Sequence, residues 1–447
     1  MSQLQTTQRS LDDLKSLAAQ VLEEAKRQGA SSVEVDVSVD SGLSVTARMG
    51  DVETLEHHKD QGLGVTIYLG TRKGSSSTSD LRPEAMRETV EAACRIARYT
   101  AEDECAGLAD PDLISRDYPD LDLDHPWELA PEQAVELAIE CEAAARAVDN
   151  RISNSEGASV SRLRGMSVYG NSHGFIGGYR ATRHSLSCAV IGQHDGHMQR
   201  DYWYTVARES ELLDSAQTVG RIAAERTLRR LDSRQLNTRQ VPVIFEASAA
   251  RSLLGHFVGA ISGGALYRKA SFLLDQVGKP VFPEFVHIHE QPHLKDAMGS
   301  APFDNEGVAT KARDLISGGV LQGYVLASYS ARRLGLQSTG NAGGVHNLII
   351  EPGAHDLPGL MAELGEGLLV TELIGHGVNP VTGDYSRGAA GFWIEQGEIQ
   401  YPVEEITIAG NLKEMFKSIQ AVGNDVDKRG NIRSGSILIG PMTIAGA

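Results

Sequence analysis

Apolar residues near the start of the chain recur at three- and four-residue spacing. Leu11, Leu14, Leu17, Ala18, Val21, Leu22 and Ala25 fall on one face of a helix. Ser10 and Asp13 stand where an N-cap and its reciprocal partner belong, and Gly29 stands where a helix ends. The period then drops to two. Val33, Val35, Val37 and Val39 alternate with polar residues, Asp40-Ser41-Gly42 reads as a turn, and Leu43, Val45, Ala47 and Met49 alternate again. That pattern predicts a hairpin. A further strand is expected through Val65, Ile67 and Leu69, and a helix over 83–97. Consecutive strands without crossover helices favour an α/β sandwich with meandering antiparallel strands over a doubly wound sheet.

Residues 102–130 show no period, and Pro131 restarts a helix that runs to about 148. From 152 to 206 strand follows strand, punctuated by Gly and Asn, and 212–231 reads as a helix. The polar segment 232–240 is the expected boundary between an N-terminal α/β domain (1–235) and a C-terminal domain (236–447). The second domain opens with a strand at 241–245 and a helix over 247–261, then continues in short strands. Segments 316–322 and 394–400 each place Gly where a hairpin tip needs it. The fold class expected is α+β: an N-terminal α/β half with meandering antiparallel strands, and a β-rich, barrel-like C-terminal half.

Composition narrows the function. The formal net charge is −17, and residues 102–142 hold fourteen acidic residues against one basic, Arg116. That stretch reads as a solvated acidic loop, and the rest of the chain is close to balanced. With no basic stripe, phosphate backbones are repelled and nucleic acid is not expected as a ligand. Four scattered cysteines without a C-x-x-C pair read as free, mostly buried thiols. No window approaches 18 apolar residues, and the polar N-terminal segment (1–11) lacks a signal-peptide h-region. The expectation is a cytoplasmic protein without a membrane partner.

Several motifs fail on their surroundings. His289-Glu290-Gln291-Pro292-His293 has the letters of a zinc-protease helix, but Pro292 inside it costs a helix about 3 kcal/mol, and the flanks alternate like a strand. Neither His289 nor His293 is expected to hold zinc. Gly170-Asn171-Ser172-His173-Gly174 matches a nucleophile elbow, yet strand pattern lies on both sides, so it reads as a hairpin turn. His184, His194 and His197 lack a metal-ligand spacing and read as surface or turn residues.

Other strings carry a resemblance. Residues 382–393, Thr-Gly-Asp-Tyr-Ser-Arg-Gly-Ala-Ala-Gly-Phe-Trp, are followed by Gly397-Glu398-Ile399, Pro402-Val403 and 406–412, Ile-Thr-Ile-Ala-Gly-Asn-Leu. Earlier come Tyr267-Arg268-Lys269, Pro302-Phe303-Asp304-Asn305-Glu306-Gly307, and 328–335. Over nearly its whole length the chain resembles the TldD/PmbA family, and within it the PmbA (TldE) branch. The resemblance implies a zinc protease built from two related subunits that acts on unfolded peptides and small proteins. The TldD-type subunit carries H-E-x-x-x-H on the first helix of its C-terminal domain. Here Gly255, His256 and Ala260 occupy those positions. A lone imidazole cannot replace the three protein ligands of a catalytic zinc. The chain is therefore expected to hold neither metal nor catalytic residue of its own. Zinc is expected in a TldD-like partner, and a homodimer when the chain is alone. Substrate-groove candidates are His256, His346, His376 and Arg387, beside helix 255–260 and the glycine-rich segments 341–344 and 375–377. Two alternatives stay open: a self-sufficient metallopeptidase with unrecognised ligands, and a non-enzymatic regulatory subunit that binds protein.

Overall fold

The computed structural model describes residues 9–446; residues 1–8 of the polar N-terminal segment, and residue 447, lie outside it. Strand β1 (Ser32–Arg48) is the spine of the N-terminal half. It is flanked by β2 (Asp51–Leu69) with β3 (Arg72–Thr78), and by β4 (Ile152–Asn171), β5 (Ile176–His194) and β6 (His197–Ala207), in the order β3-β2-β1-β4-β5-β6. Every pairing is antiparallel. Helices α1 (Leu11–Arg27) and α2 (Pro83–Tyr99) close one core over Val33, Val35, Val37 and Val39. Helices α3 (Pro131–Arg146) and α4 (Ala216–Leu228) close a second over Leu43, Val45 and Ala47. Ser10 and Asp13 form the expected capping box.

The hairpin expected at Asp40-Ser41-Gly42 is absent: β1 passes straight through. Val39 and Leu43 are four residues apart, so the two alternating runs stay in phase and their apolar side chains reach one face. Gly42 is needed for close approach, because a Cβ there would overlap the His58 imidazole and meet the Arg162 carbonyl oxygen at 2.9 Å. The chain turns instead at Met49 (φ 55°) and Gly50 (φ 84°), a two-residue hairpin with both φ positive. His184 is also not at the surface. It is 1% exposed on β5, and its Nε2–H donates to the His125 carbonyl at 2.9 Å.

Residues 102–130 of the acidic stretch form no strand or α-helix, as expected, but they are not simply solvated. Leu108, Leu121, Leu123 and Leu129 are buried. The Arg332 guanidinium donates to the carbonyls of Cys105, Gly107 and Leu108, and the Tyr329 hydroxyl donates to Asp103 at 2.8 Å. Ser115 N–H donates to Gly307 O, and Ala309 N–H to Leu113 O. The segment is a belt lying across both halves of the protein.

The C-terminal half holds two sheets. Strands β7 (Arg239–Phe245), β12 (Gly367–Ile374), β13 (Asp384–Glu395), β14 (Glu398–Asn411) and β17 (Ile437–Ala445) close into a barrel, with β15 (Ile419–Val422) on its edge. Closure comes from β17 pairing back onto β14, and only β7 and β12 run parallel. The second sheet contains β8 (Ile288–Glu290), β9 (Arg313–Ser317), β10 (Val320–Leu321), β11 (Leu348–Ile350) and β16 (Ile432–Arg433), in the order β10-β9-β8-β11-β16. Both expected hairpin tips form, with positive φ at Gly318-Gly319 and Gln396-Gly397. Helix α5 (Ala247–Ala260) follows β7, and its Leu253, Leu254 and Phe257 share one core with Ile288 of the second sheet and Val370 of the barrel.

Buried ion pairs fix α5 against the N-terminal half. Glu246, its N-cap, pairs with Arg226 at 3.3 Å and Arg229 at 3.4 Å. Asp427 accepts from Arg251 of α5 at 3.2 Å and from Arg429 at 2.9 Å. Arg429 lies 4.2 Å from the ring centroids of Trp203 and Tyr204 and donates to the Tyr204 carbonyl.

Removing one partner of such a buried pair strands a charge, so Asp427→Ala is expected to destabilise the protein by about 3–5 kcal/mol in urea unfolding. Burial alone would raise the Asp427 pKa, but hydrogen bonds from Arg429 and the charges of Arg429 and Arg251 hold it below 3.8. Its contribution is therefore present above that value and is lost as pH falls through the lower, folded pKa. A variant as stable as wild type at neutral pH would refute the assignment.

Candidate functional site

One face of α5 is left free of the core. Ser252, Gly255 and His256 are half-exposed and Gly259 is exposed, whereas Leu253, Leu254 and Phe257 are buried. A Cβ at Gly255 or Gly259 would meet nothing within 4 Å, so there is open space in front of this turn. Strand β13 passes beside it. The Tyr385 ring, 1% exposed, meets the His256 ring edge-on at a centroid distance of 6.0 Å. Arg387 lies two residues further along β13 and so shares the strand face with Tyr385. The loop at 375–378 packs against the same stretch. Val378 bridges to Tyr385, and Ser386 N–H donates to Gly377 O at 2.7 Å. Gly377 is required there, since any Cβ would collide with the Ser386 carbonyl. His376 sits exposed on this loop.

The chemistry is that of unpartnered donors beside a cation. His256 Nε2, the Tyr385 hydroxyl and Arg387 Nε are buried atoms without a hydrogen-bond partner. Burial, and then the Arg387 charge, push the His256 pKa down, so the imidazole is neutral at pH 7. Burial pushes the Tyr385 phenol up to about 12 against the pull of Arg387. Among the described residues, Arg387 is the charge that acts on both groups. The pocket therefore suits a hydrogen-bond acceptor or an anion.

Three of the four groove candidates thus gather at α5: His256, Arg387 and the loop carrying His376. His346 does not join them. It lines a separate cavity of about 490 Å³ together with Arg183, Arg251, Ala342, Gly343 and Arg429. Its backbone N–H donates to Glu290 and its ring Nε2–H to the Gly340 carbonyl, and burial pushes its pKa down. Arg251, one turn before Gly255, connects the two regions. Tyr385 was missed from sequence; its i, i+2 relation to Arg387 within the 382–393 motif was the available signal. His289 and Glu290 lie in β8 and Pro292-His293 in a turn, so the segment is not helical. Glu290 is tied to Arg313 and Asn341, and His293 to Thr310.

Family models for the PmbA/TldA metallopeptidase match the chain as domain 1 over 33–97, central domain over 124–231 and C-terminal domain over 238–446. Metalloprotease PmbA of Escherichia coli O157:H7 is 51% identical over 446 residues, covering 100% of this chain and 98% of that protein. This chain belongs to the PmbA/TldD family. A Haemophilus influenzae homolog of metalloprotease PmbA is 49% identical, covering 97% of this chain and 96% of its own. A Bacteroides thetaiotaomicron crystal structure, described as a candidate modulator of DNA gyrase, superposes with a TM-score of 0.93 at 30% identity, covering 98% of this chain and 99% of that one. The family's metalloprotease names imply a metal, and the residues at α5 do not fit one. Gly255 and Ala260 offer no donor atom, and the lone imidazole faces a guanidinium instead of a carboxylate.

Two measurements check this electrostatic picture. By NMR, His256 should titrate below 6.5, and Arg387→Gln should raise its pKa only in part, since burial is the larger cause. Unchanged titration in Arg387→Gln would show that the guanidinium does not face His256. Arg387 acts on the Tyr385 hydroxyl but no hydrogen bond of normal geometry joins them, so Tyr385→Phe is expected to change stability by less than about 1 kcal/mol. A loss of more than about 1 kcal/mol in chemical denaturation would mean that the hydroxyl is satisfied.

Proposed function

We propose that this chain is the non-zinc-binding subunit of a heteromeric TldD/PmbA-type metalloprotease, working with a TldD-like zinc subunit on unfolded peptides and small proteins in the cytoplasm. One observation carries the reading: the helix face where the family's zinc subunit places H-E-x-x-x-H holds Gly255, His256 and Ala260, with Arg387 beside them. A cation at that point opposes a second cation, so the site favours an acceptor over a metal.

The chain's own part is to complete the substrate groove. An extended peptide carries a row of carbonyls, and an unfolded one carries them unpaired. The donors of His256, Tyr385 and Arg387 are placed to receive such an acceptor. Related subunits pair through similar patches about a pseudo-twofold axis, so in the absence of its partner the chain is expected to pair with itself.

The test is a peptidase assay on an unstructured peptide with this chain alone, the zinc subunit alone, and the mixture. Activity is expected only from the mixture, and a homodimer is expected in light scattering of the chain alone. Arg387→Gln should lower kcat/KM of the mixture by about 10- to 100-fold, the effect of losing a charged hydrogen bond of roughly 1.5–3 kcal/mol, and His256→Ala by about 2- to 10-fold, the effect of losing a neutral one of roughly 0.5–1.5 kcal/mol. A zinc subunit that cleaves as fast alone as in the mixture would end the groove-completing reading. An active mixture that is indifferent to both substitutions would end only the residue assignment.

A further inference from the structure

The outer face of the second C-terminal sheet carries a cluster that the family reading does not use. In β8 and the residue before it, side chains alternate. Val286, Ile288 and Glu290 are buried, while His287 and His289 are partly exposed and leave the opposite face. Ile288 packs into the core that α5 shares, so the two imidazoles lie across the sheet from α5.

Both neighbouring strands bring a carboxylate to this face. Glu351 follows β11 directly, and its backbone N–H donates to the His287 carbonyl at 3.0 Å, which sets it beside the histidines. Asp314 of β9 pairs with His289 across the ladder, and its carboxylate reaches His287 Nε2 at 3.1 Å. Donor atoms of His287, His289 and Glu351 all lie within 4.8 Å of one another, and Glu351 Oε1 is 3.9 Å from His289 Nδ1. The two rings are 5.5 Å apart, centroid to centroid. In a tetrahedral zinc site with bonds of about 2.0–2.1 Å, ligand atoms sit about 3.3 Å apart. The Glu351 side chain is 57% exposed, so it has room to swing toward the two histidines.

We infer that His287, His289 and Glu351 form a binding site for a divalent cation of the zinc class. Two imidazole nitrogens and one carboxylate oxygen suit Zn²⁺, Co²⁺ or Ni²⁺, and not the all-oxygen shells of Ca²⁺ or Mg²⁺. Asp314 is the positioning residue, holding the His287 ring in the way that a carboxylate behind a metal-bound histidine does. The fourth position is open to water. The strands fix both histidine backbones, and the ion cross-links β8 to the end of β11. The site departs from the sequence expectation of a metal-free chain. The pair excluded there was His289 with His293, whereas the pair in the structure is His-x-His at strand spacing.

The experiment uses the full chain, stripped with chelator and dialysed. Calorimetric titration with ZnCl₂ is expected to show one site of micromolar or tighter affinity, and Zn²⁺ is expected to raise the thermal midpoint. Added Co²⁺ should give visible absorption of a tetrahedral nitrogen–oxygen site. His287→Ala and His289→Ala should each weaken Zn²⁺ binding at least tenfold while retaining the wild-type circular dichroism spectrum, and Asp314→Asn should weaken it less. His293→Ala should bind like wild type. Absence of Zn²⁺ binding by the folded, stripped chain overturns the inference. So does binding that His287→Ala and His289→Ala leave unchanged, because the ion then sits elsewhere.

Discussion

Two buried carboxylates, Glu246 and Asp427, decide where helix α5 sits, and the rest of the C-terminal half is arranged around that helix. Glu246 caps α5 beside the positive end of its dipole and takes Arg226 and Arg229 from α4 of the other half. Asp427 grips Arg251 one turn further on, and through Arg429 it grips the aromatic edge of β6. Buried pairs of this kind add little net stability relative to apolar packing. Their effect is on alternatives: any other docking of the two halves would strand two carboxylates and several guanidinium groups away from water. The free face of α5 is thereby set beside β13, with open space in front of Gly255 and Gly259.

The acidic belt adds a second constraint across the same junction. Its charge alone would make it a solvated loop, and that is how composition reads it. What seats it is a set of leucines spaced along it, together with Arg332, whose guanidinium takes three of its carbonyls. The carboxylates are left at the surface by default, because the backbone and the leucines face inward. Charge density describes the outside of this segment and is silent about its inner side.

Where the pattern was legible, the reason is local. Glycines with positive φ forced both C-terminal hairpin tips, and Ser10 with Asp13 marked the start of α1. Where it failed, a long-range partner decided the matter. Asp40-Ser41-Gly42 has turn chemistry, but the strands on either side of it hold it extended, and Gly42 is explained by His58 and Arg162 across the ladder. His184 looked like a turn residue because the carbonyl that satisfies it, at His125, is 59 positions away. The candidate site divides in the same way. The glycine-rich segments do approach α5, but they reach two different cavities, and only the barrel's register puts Tyr385 beside His256.

Beside the free turn of α5, three buried polar atoms gather without a hydrogen-bond partner. An unsatisfied buried donor costs about 1–3 kcal/mol, and such groups persist where function retains them. The space in front of Gly255 and Gly259 explains how the isolated chain tolerates them: nothing packs against that turn, and an acceptor can enter. A peptide carbonyl or a carboxylate would satisfy the donors in a setting already desolvated by Tyr385 and the core beneath it. A metal ion would leave Tyr385 unsatisfied and would face Arg387 directly. The residues on this turn therefore suit an acceptor better than a metal ion.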